Sequence, residues 1–249
     1  MRLHVIGSGS SGNCYVLEGE RTALLIECGV PYRSMLKGID FDAGKICAAL
    51  VSHEHGDHAG HMGKYADELG IGIYASGGTL RALGMVGRRN IIAIDPKRHY
   101  RIGEFSVITF PVQHDAAEPL GFIITHEELG NLLFATDTYY VRFNFSKFNI
   151  DHFMIEANYD RGIVRDNLEK GVINSVYADR LITSHMSLDH TIRMLEANMT
   201  PSCRSVTLIH LSGRNSDPRA FQSRVEERFP MVSVNVAEKG LKIDFNDIL

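Results

Sequence analysis

The chain has 249 residues and a formal net charge of −4, with 44% hydrophobic and 22% charged residues. These proportions are typical of globular proteins and exclude a disordered or coiled-coil chain. The charge does not indicate a general polyanion binder, so a nucleic-acid site would have to be a local patch. No apolar run approaches the roughly 18 residues of a membrane helix, and we expect no signal peptide at the N-terminus.

The four cysteines, Cys14, Cys28, Cys47 and Cys203, form no C-x-x-C pair. Three of them lie in or beside apolar runs, where cysteine packs as a small hydrophobic residue. We therefore expect no disulfide bonds, no thiolate metal site and a reducing compartment, the cytoplasm.

The first half of the chain alternates apolar runs with turn residues and predicts mostly strands. Pro31 suits the first turn of a short helix that ends near Gly38, and a second helix is expected over Gly63–Leu69. Ile46–Ser52 is almost wholly apolar, which is typical of a strand buried on both faces. In chain order, the predicted strands are Leu3–Ile6, Cys14–Glu18, Thr22–Glu27, Ile46–Ser52, Ile71–Ala75, Ile91–Ile94, Phe105–Phe110, Gly121–Thr125 and Leu132–Ala135.

The second half adds helices to the pattern. The predicted elements are a strand Phe153–Glu156, helical stretches around Val164–Tyr177, a strand Leu181–Thr183, a helix Leu188–Ala197, a strand Val206–Ile209, a helix near Arg219–Phe229, and strands Val232–Val236 and Leu241–Phe245. Strands in two batches, each followed by helices, favour two sheets with helices packed outside, a four-layer α/β arrangement. Since no linker or repeat divides the chain, we expect a single domain over residues 1–249.

Gly7, Gly9 and Gly12 form a G-x-G-x-x-G pattern after the first predicted strand. A dinucleotide site would need a helix next, because the helix N-terminus holds the pyrophosphate. A turn and another strand are predicted there instead. We interpret the segment as a Gly/Ser hairpin loop, or as a loop that offers backbone N–H groups to an anion.

The strongest pattern in the chain is the run Ser52-His53-Glu54-His55-Gly56-Asp57-His58. It directly follows the predicted buried strand. His53 and His55, two residues apart in an extended segment, should point the same way. Gly56 permits a sharp turn that brings Asp57 and His58 towards a second position. Imidazole and carboxylate groups suit Zn²⁺, Mn²⁺ or Fe²⁺, so the run predicts a metal site rather than a surface loop.

The spacing H-x-H-x-D-H resembles the signature of the metallo-β-lactamase superfamily. Later segments narrow the resemblance to the YycJ (WalJ) branch: Ser8–Asn13, Phe110–Gly121, Phe134–Thr138, Glu156–Asp160 and Ile209–Ser212. The resemblance implies a four-layer αββα sandwich with a dinuclear metal site at one edge.

The resemblance also implies seven ligands for two divalent ions, Zn²⁺ or Mn²⁺, with Fe²⁺ as a further candidate. One ion would be held by His53, His55 and His114, the other by Asp57, His58 and His210, and Asp137 would bridge them. His114, Asp137 and His210 each follow an apolar predicted strand, where the edge of a sheet would present them.

Two divalent ions, two carboxylates and a bridging hydroxide leave such a site at about +1, which suits an anionic phosphodiester better than a neutral amide. Ions roughly 3.5–4 Å apart lower the pKa of a shared water towards about 7, which makes hydroxide available as the nucleophile.

A leaving alkoxide needs a proton, and His185 is the candidate donor. It precedes a predicted helix for which Ser187 is the expected N-cap, a placement similar to that of a histidine in ribonuclease Z-type phosphodiesterases. His185 could instead contact substrate or be a spare ligand. Asp57, whose loss should abolish turnover, and His185 are the residues to which we assign catalytic roles.

Two segments depart from the usual pattern of the superfamily. Glu27-Cys28-Gly29 stands where many relatives have Asp-Cys-Gly or Asp-Ala-Gly, which would alter support for the metal loop. Thr138-Tyr139-Tyr140 follows Asp137 where Gly is common, which would narrow the pocket or stack a base. Asn13 and Asp115 are expected to orient ligands or phosphate, or else to be turn residues.

The resemblance implies 5′-to-3′ exonuclease action on DNA, so we expect a nucleic-acid partner and no membrane partner. The basic residues that could contact phosphates, or remain solvated surface, are Arg88, Arg89, Lys97, Arg98, Arg101, Arg161 and Arg165. Two further functions stay open. One is a hydrolase of RNA, a small cyclic nucleotide or a thioester, and the other is a non-catalytic metal-binding regulatory module.

Overall fold

The computed structural model describes residues 1–248, which form a mixed α/β protein. The strands are β1 (Arg2–Gly7), β2 (Cys14–Glu18), β3 (Ala23–Ile26), β4 (Ile46–Leu50), β5 (Gly72–Ser76), β6 (Ile91–Ile94), β7 (His99–Ile102), β8 (Phe105–Pro111), β9 (Leu120–His126), β10 (Gly130–Ala135), β11 (His152–Glu156), β12 (Ser205–Ile209), β13 (Ser233–Val236) and β14 (Lys242–Asp244). The helices are α1 (Tyr32–Gly38), α2 (Gly56–Ala59), α3 (Met62–Leu69), α4 (Gly77–Ala82), α5 (Arg161–Glu169), α6 (Ser175–Ser184), α7 (Leu188–Asn198) and α8 (Pro218–Arg228).

These elements divide into two compact units. Unit 1 comprises residues 1–111, 116–130 and those from 237 onward, and unit 2 comprises residues 112–115 and 131–236. Unit 1 therefore contains β1–β9, β14 and α1–α4, while unit 2 contains β10–β13 and α5–α8.

One seven-stranded sheet lies in unit 1 and has the strand order β14-β1-β2-β3-β4-β5-β6. Strands β1–β3 pair antiparallel and β3–β6 pair parallel. Helices α1 and α3 contribute the buried side chains Met35, Met62 and Tyr65 to the core of this unit. Because β4 is covered on both faces, its sequence is almost wholly apolar. At its carboxyl end, the chain leaves the edge of the sheet at residue 51.

The seven strands of the other sheet are β7–β9 in unit 1 and β10–β13 in unit 2. Strands β7–β9 pair antiparallel, whereas β10–β13 pair parallel. The register aligns Ala135 with Ile155 and Glu156 with Ile209. The residues that follow β10, β11 and β12 are therefore neighbours at one edge of the parallel strands.

Each helix of unit 2 begins at a residue whose side chain caps it. Asp160, Asn174, Ser187 and Asp217 accept hydrogen bonds from backbone N–H groups in the first turns of α5, α6, α7 and α8. Each cap satisfies donors that the helix itself leaves without a partner. The prediction of Ser187 as an N-cap is confirmed. The cap fixes the point at which the chain turns from His185 into α7.

The prediction of a strand at Leu181–Thr183 is wrong, because these residues belong to α6. The short apolar run has strand-like composition, but α6 continues from its cap at Asn174 and buries Ala178 and Leu181 on one face. Packing of this helix face therefore outweighs the preference of the short apolar run for a strand. The short elements α2, α4 and β7 were not predicted, although Ser76 is a normal cap for α4.

The glycine-rich segment joins β1 to β2, which pair antiparallel, with Gly7 aligned with Cys14. A Cβ atom on Gly7 would lie 2.5 Å from the carbonyl oxygen of Gly12, and Gly12 has φ +135°. Both positions therefore require glycine for the turn itself. The hairpin-loop interpretation is confirmed, and the helix that a dinucleotide site needs does not follow this segment.

Candidate functional site

The four donor residues His53, His55, Asp57 and His58, here called the loop group, lie in unit 1 after β4. The chain is extended up to His55 and then turns into α2. As expected from their spacing, His53 and His55 face the same way, with His53 Nε2 3.2 Å from His55 Nδ1. The ring of His58 lies 4.2 Å from that of His53, between ring centroids. One short loop therefore gathers three imidazoles and a carboxylate.

Backbone contacts hold the loop group in place. The N–H groups of Asn13 and Cys28 donate to the carbonyl oxygens of Asp57 and His58, each at 2.7 Å. A Cβ atom on Gly29 would lie only 1.7 Å from the Asp57 carbonyl oxygen. The close approach of these two chains therefore requires glycine at position 29.

His58 is further held by two side chains. Asn13 Nδ2 donates to His58 Nε2 at 3.0 Å, and Asn13 Oδ1 accepts from Gly9 N at 2.8 Å. On the other side of the ring, His58 Nδ1 lies 3.5 Å from Oε1 of Glu27, which is fully buried. Asn13 is thus a residue that orients a predicted ligand, and Glu27 is a carboxylate beneath the loop.

A second set of donors lies in unit 2 and comprises His114, Asp137, His185 and His210, here called the strand-end group. Asp137 and His210 come two and one residues after β10 and β12, and both have left-handed backbone, with φ 45° and 54°. Such conformations are costly for residues other than glycine and concentrate at functional sites. Ligand atoms of Asp137, His185 and His210 lie within 4.8 Å of one another and of Glu156.

Glu156, at the end of β11, connects the members of the strand-end group. Its Oε1 lies 2.7 Å from His185 Nδ1 and 3.6 Å from His210 Nδ1. Its Oε2 accepts from the backbone N–H groups of Thr138 and Met186, at 2.9 and 3.2 Å. The carboxylate is fully buried, and it fixes both the segment after Asp137 and the segment after His185.

In this group, the pKa values of His114 and His185 are shifted in opposite directions. Burial lowers the pKa of His114, although Asp137 and the Ser184 carbonyl act in the other direction. Burial also acts to lower the pKa of His185, but the charge of Glu156 and its hydrogen bond outweigh this effect and raise the pKa. His114 is therefore favoured as a neutral electron-pair donor, and His185 as a proton carrier.

The donor set fits a divalent cation. His114 Nδ1 must be protonated, because it donates to the Ser184 carbonyl oxygen at 2.9 Å. Its Nε2 then presents an electron pair to Asp137 Oδ2 at 3.4 Å and to Asp115 Oδ1 at 3.2 Å. Acceptors that face one another in this way are stabilised by a shared cation. In the loop group, the 3.2 Å between His53 Nε2 and His55 Nδ1 is close to the ~3.3 Å between two ligands of a tetrahedral ion bound at about 2.0–2.1 Å.

The outer contacts of these histidines also suit metal ligands. Ser52 Oγ lies 2.8 Å from His53 Nδ1, which leaves Nε2 for a metal ion. Asn158 Nδ2 donates to the backbone oxygen of His210 at 2.8 Å. His210 Nδ1 is in close contact with Asp137 Oδ1. Hydrogen bonds of this kind orient metal-binding histidines and tune their affinity.

Sequence reasoning assigned no individual role to Glu156, Asn158 or Asp160. The structure makes Glu156 the connecting carboxylate, Asn158 a support for the backbone at His210, and Asp160 the cap of α5. Asp115 pairs with Arg180 as well as contacting His114. The available signal for Glu156 was a carboxylate at the end of an otherwise apolar strand.

Comparison with known proteins extends these observations. The family model described as "Metallo-beta-lactamase superfamily" matches residues 7–154. The chain is 26% identical over 260 residues to "Exodeoxyribonuclease WalJ" of Streptococcus pneumoniae, covering 97% of this chain and 91% of the relative. It is also 26% identical to "Exodeoxyribonuclease YycJ" of Bacillus anthracis, covering 87% and 85%.

Among solved structures, the metallo-β-lactamase fold protein YhfI from Bacillus subtilis has a TM-score of 0.74 with this chain at 19% identity, covering 97% of this chain and 98% of YhfI. This likeness confirms the predicted α/β fold class with its two sheets. Among residues 1–248, no helix is long and apolar enough to cross a bilayer. With the matched family model covering more than half of its length, the chain belongs to the metallo-β-lactamase superfamily.

Proposed function

We propose that this protein is a metal-dependent phosphodiesterase that acts on DNA as a 5′-to-3′ exonuclease. The observation that carries the proposal is the pair formed by His185 and the buried Glu156 beside Asp137 and His210. A phosphodiester releases an alkoxide, which needs a proton donor next to the cation that stabilises the phosphoryl charge. The two relatives described as exodeoxyribonucleases support DNA as the substrate.

The proposed ligands are the seven residues predicted from the sequence. His53, His55 and His114 would hold one ion, Asp57, His58 and His210 the other, and Asp137 would contact both. The orientation of the electron pairs of His53, His55 and His114 supports the assignment of the first ion. We propose Zn²⁺ or Mn²⁺, with Fe²⁺ as a further candidate, because imidazole and carboxylate ligands suit these ions. When bound, the pair of ions would acidify water and neutralise charge on the phosphoryl oxygens.

His185 is proposed to deliver the proton to the leaving oxygen. Because Nδ1 is bound to Glu156 Oε1, Nε2 is the atom that can face a substrate. The carboxylate fixes the ring orientation and stabilises the protonated imidazole, which agrees with the raised pKa of His185. Asp57 is proposed to be essential for turnover because its carboxylate would help His58 to hold the second ion.

The basic residues predicted to contact phosphates differ in availability. Arg88 is bound to Asp67 and to the Gly63 carbonyl oxygen, so it is the weakest of these candidates. Arg165 is exposed and only weakly paired with its neighbour Asp166 at 3.8 Å.

We also propose that the protein works in the cytoplasm, since all four cysteines are free thiols.

A substrate panel tests the proposal. Metal-loaded protein is incubated with end-labelled duplex DNA, single-stranded DNA, RNA, bis-p-nitrophenyl phosphate and a glutathione thioester. We expect stepwise loss of nucleotides from the 5′ end of DNA. Turnover of the thioester alone would show that the phosphodiesterase assignment is wrong, and no turnover with both ions bound would favour a regulatory module.

His185→Ala separates the proton donor from the metal ligands. We expect the variant to retain both ions and to lose roughly 10²–10³-fold in kcat, the usual contribution of general acid catalysis. The measurement is kcat on DNA beside metal content by elemental analysis. A variant with the wild-type rate would remove His185 from the mechanism.

A further inference from the structure

An irregular aromatic segment after β10 crosses over α7 within unit 2. At its start, Thr138 Oγ1 donates to the carbonyl oxygen of Tyr140 at 2.9 Å. At its far end, Asn144 Nδ2 donates to the Ala197 carbonyl oxygen at 2.8 Å, and Phe145 N donates to Asn198 Oδ1. The segment is thus fixed at both ends, and residues 140–144 form one wall of a space whose other wall is α7.

This space is a cavity of ≈ 450 Å³, here called the loop cavity. From α7 it is lined by His190, Arg193, Met194 and Ala197, which follow the spacing of a single helix face. Met186, which directly follows His185, forms part of the floor. The volume lies within the range of about 300–1,000 Å³ that is usual for small-molecule sites.

The loop cavity is cationic although the chain as a whole is acidic. None of the eleven residues that line it is acidic, whereas Arg142, Arg193 and His190 contribute basic groups. Among the described residues, neither Arg142 nor Arg193 forms an ion pair with a carboxylate. Arg161 adds further positive charge by donating to His190 Nε2 at 3.2 Å. Two guanidinium groups are therefore available to an anion.

The rest of the lining is apolar or aromatic. Met186 and Met194 are almost completely buried, and Val141 and Phe143 add to the apolar surface. Tyr140 is 55% exposed at the edge of the cavity, so its ring face is open to a stacking partner. A ligand that suits this lining carries both an anionic group and a flat apolar group.

We propose that the loop cavity binds one nucleotide of the substrate strand, next to the phosphodiester that is cleaved. Arg142 and Arg193 contact a phosphate of this nucleotide, and its base packs between Tyr140 and the methionines. Two lining residues tie the cavity to the strand-end group through Glu156, which contacts His185. Met186 N donates to Glu156 Oε2 at 3.2 Å, and the Tyr140 carbonyl oxygen accepts from Thr138, whose N–H group donates to the same Glu156 oxygen. The proposal rests on the proposed function in taking the nucleotide to be part of the substrate.

Nucleotide binding to the metal-loaded protein tests the cavity directly. Deoxyadenosine monophosphate and inorganic phosphate are titrated into wild-type protein, Arg193→Gln and Ala197→Phe by calorimetry. Arg193→Gln removes one guanidinium group, and Ala197→Phe fills the space from an exposed position on α7. We expect Arg193→Gln to weaken the nucleotide by about tenfold or more, the loss expected for a charged hydrogen bond. Ala197→Phe keeps both guanidinium groups but occupies space in the cavity, so it should weaken the nucleotide as well and leave inorganic phosphate unchanged.

The matched control is Arg219→Gln, which removes an exposed arginine from the first turn of α8, away from the cavity lining. It should bind both ligands like the wild type, which excludes a general effect of net charge. Unchanged nucleotide affinity in Arg193→Gln and Ala197→Phe would overturn the proposal. Equal losses for nucleotide and inorganic phosphate in Ala197→Phe would overturn it as well.

Kinetics distinguish failure of the cavity from failure of the proposed function. In Arg193→Gln, KM for an oligonucleotide should rise by about tenfold, and this rise should exceed the one for bis-p-nitrophenyl phosphate, which has no nucleoside. Arg219→Gln should keep the kinetic constants for both substrates within about twofold of the wild type. If no phosphodiester is cleaved but Arg193→Gln and Ala197→Phe still weaken the nucleotide, the proposed function is wrong and the cavity assignment stands. If DNA is cleaved with unchanged KM in both variants, the cavity assignment is wrong.

Discussion

Glu27 and Glu156 are both fully buried carboxylates at strand ends, yet they support their groups with different contacts. Glu156 lies 2.7 Å from His185 and accepts two backbone N–H groups at 2.9 and 3.2 Å. Among residues 1–248, Glu27 accepts only from Ser52 N, at 3.4 Å, and its other oxygen is 3.5 Å from His58. The polar contacts of the Glu156 carboxylate are therefore shorter and more numerous than those of the Glu27 carboxylate.

The difference follows from how each group is assembled. The loop group is contiguous in sequence, and main-chain hydrogen bonds to the carbonyl oxygens of Asp57 and His58 fix its position. The strand-end group comes from separate segments, so one carboxylate has to connect the chain after Asp137 with the chain after His185. A contiguous site relies on backbone geometry, whereas a dispersed site depends on a buried side chain.

The largest effect is expected from Asp57→Asn, which tests whether backbone support alone maintains the loop group. The substitution keeps the shape of the side chain and the backbone contacts, but it removes the charge. We expect a loss of about 10³-fold or more in kcat/KM, because a lost ligand forfeits several kcal/mol of charge stabilisation. Elemental analysis should find a reduced content of one of the two ions. Full activity would show that Asp57 is not a metal ligand.

Glu156→Gln should have the next largest effect, with a loss of about 10²-fold in kcat. The amide cannot stabilise the protonated imidazole, so the pKa of His185 should fall from its raised position. Since the donor acts in its protonated form, activity is lost as pH rises through this pKa. The alkaline limb of the pH profile of kcat should therefore move to lower pH in the variant.

The control for this prediction is Glu169→Gln, which removes an exposed carboxylate at the end of α5. Its pH profile should match that of the wild type. If the alkaline limb of Glu156→Gln stays in place while kcat falls, Glu156 is a structural support and does not tune His185.

The contrast between the two groups also explains what the sequence could predict. His53, His55, Asp57 and His58 stand within six residues after an apolar strand, so local spacing was sufficient to select them. His114, Asp137 and His210 were selected by motif resemblance and their positions after strands. All seven stay predictions as metal ligands, as does the single domain over residues 1–249.

The role of Glu156 could not be predicted, because it depends on long-range register. Glu156 aligns with Ile209 in β12, and this alignment brings His210 beside the residue that follows Glu156. The approach of His185 further depends on α6 extending to Ser184, where a strand at Leu181–Thr183 was predicted. The two-sheet fold followed from the batches of strands, but such individual contacts follow only from packing.

Glu27→Gln sharpens the comparison as the counterpart of Glu156→Gln. Because the contacts of Glu27 are longer, we expect a loss of about tenfold in metal affinity, at the low end for outer contacts of metal ligands. Glu156→Gln, whose carboxylate also lies near His210, should lose up to about 100-fold in metal affinity. Metal titration of the two variants side by side measures the difference. A loss as large as that of Glu156→Gln would show that the carboxylates support their groups equally.

The smallest effect is expected from Ser52→Ala, which removes the hydrogen bond between Ser52 Oγ and His53 Nδ1. A neutral hydrogen bond contributes about 0.5–1.5 kcal/mol, so metal affinity should fall by roughly two- to tenfold. His114 in the strand-end group is oriented by a backbone carbonyl oxygen instead, at Ser184, which no side-chain substitution removes. Ser52→Ala therefore acts on the loop group alone, and unchanged metal affinity would mean that main-chain hydrogen bonds suffice to orient His53.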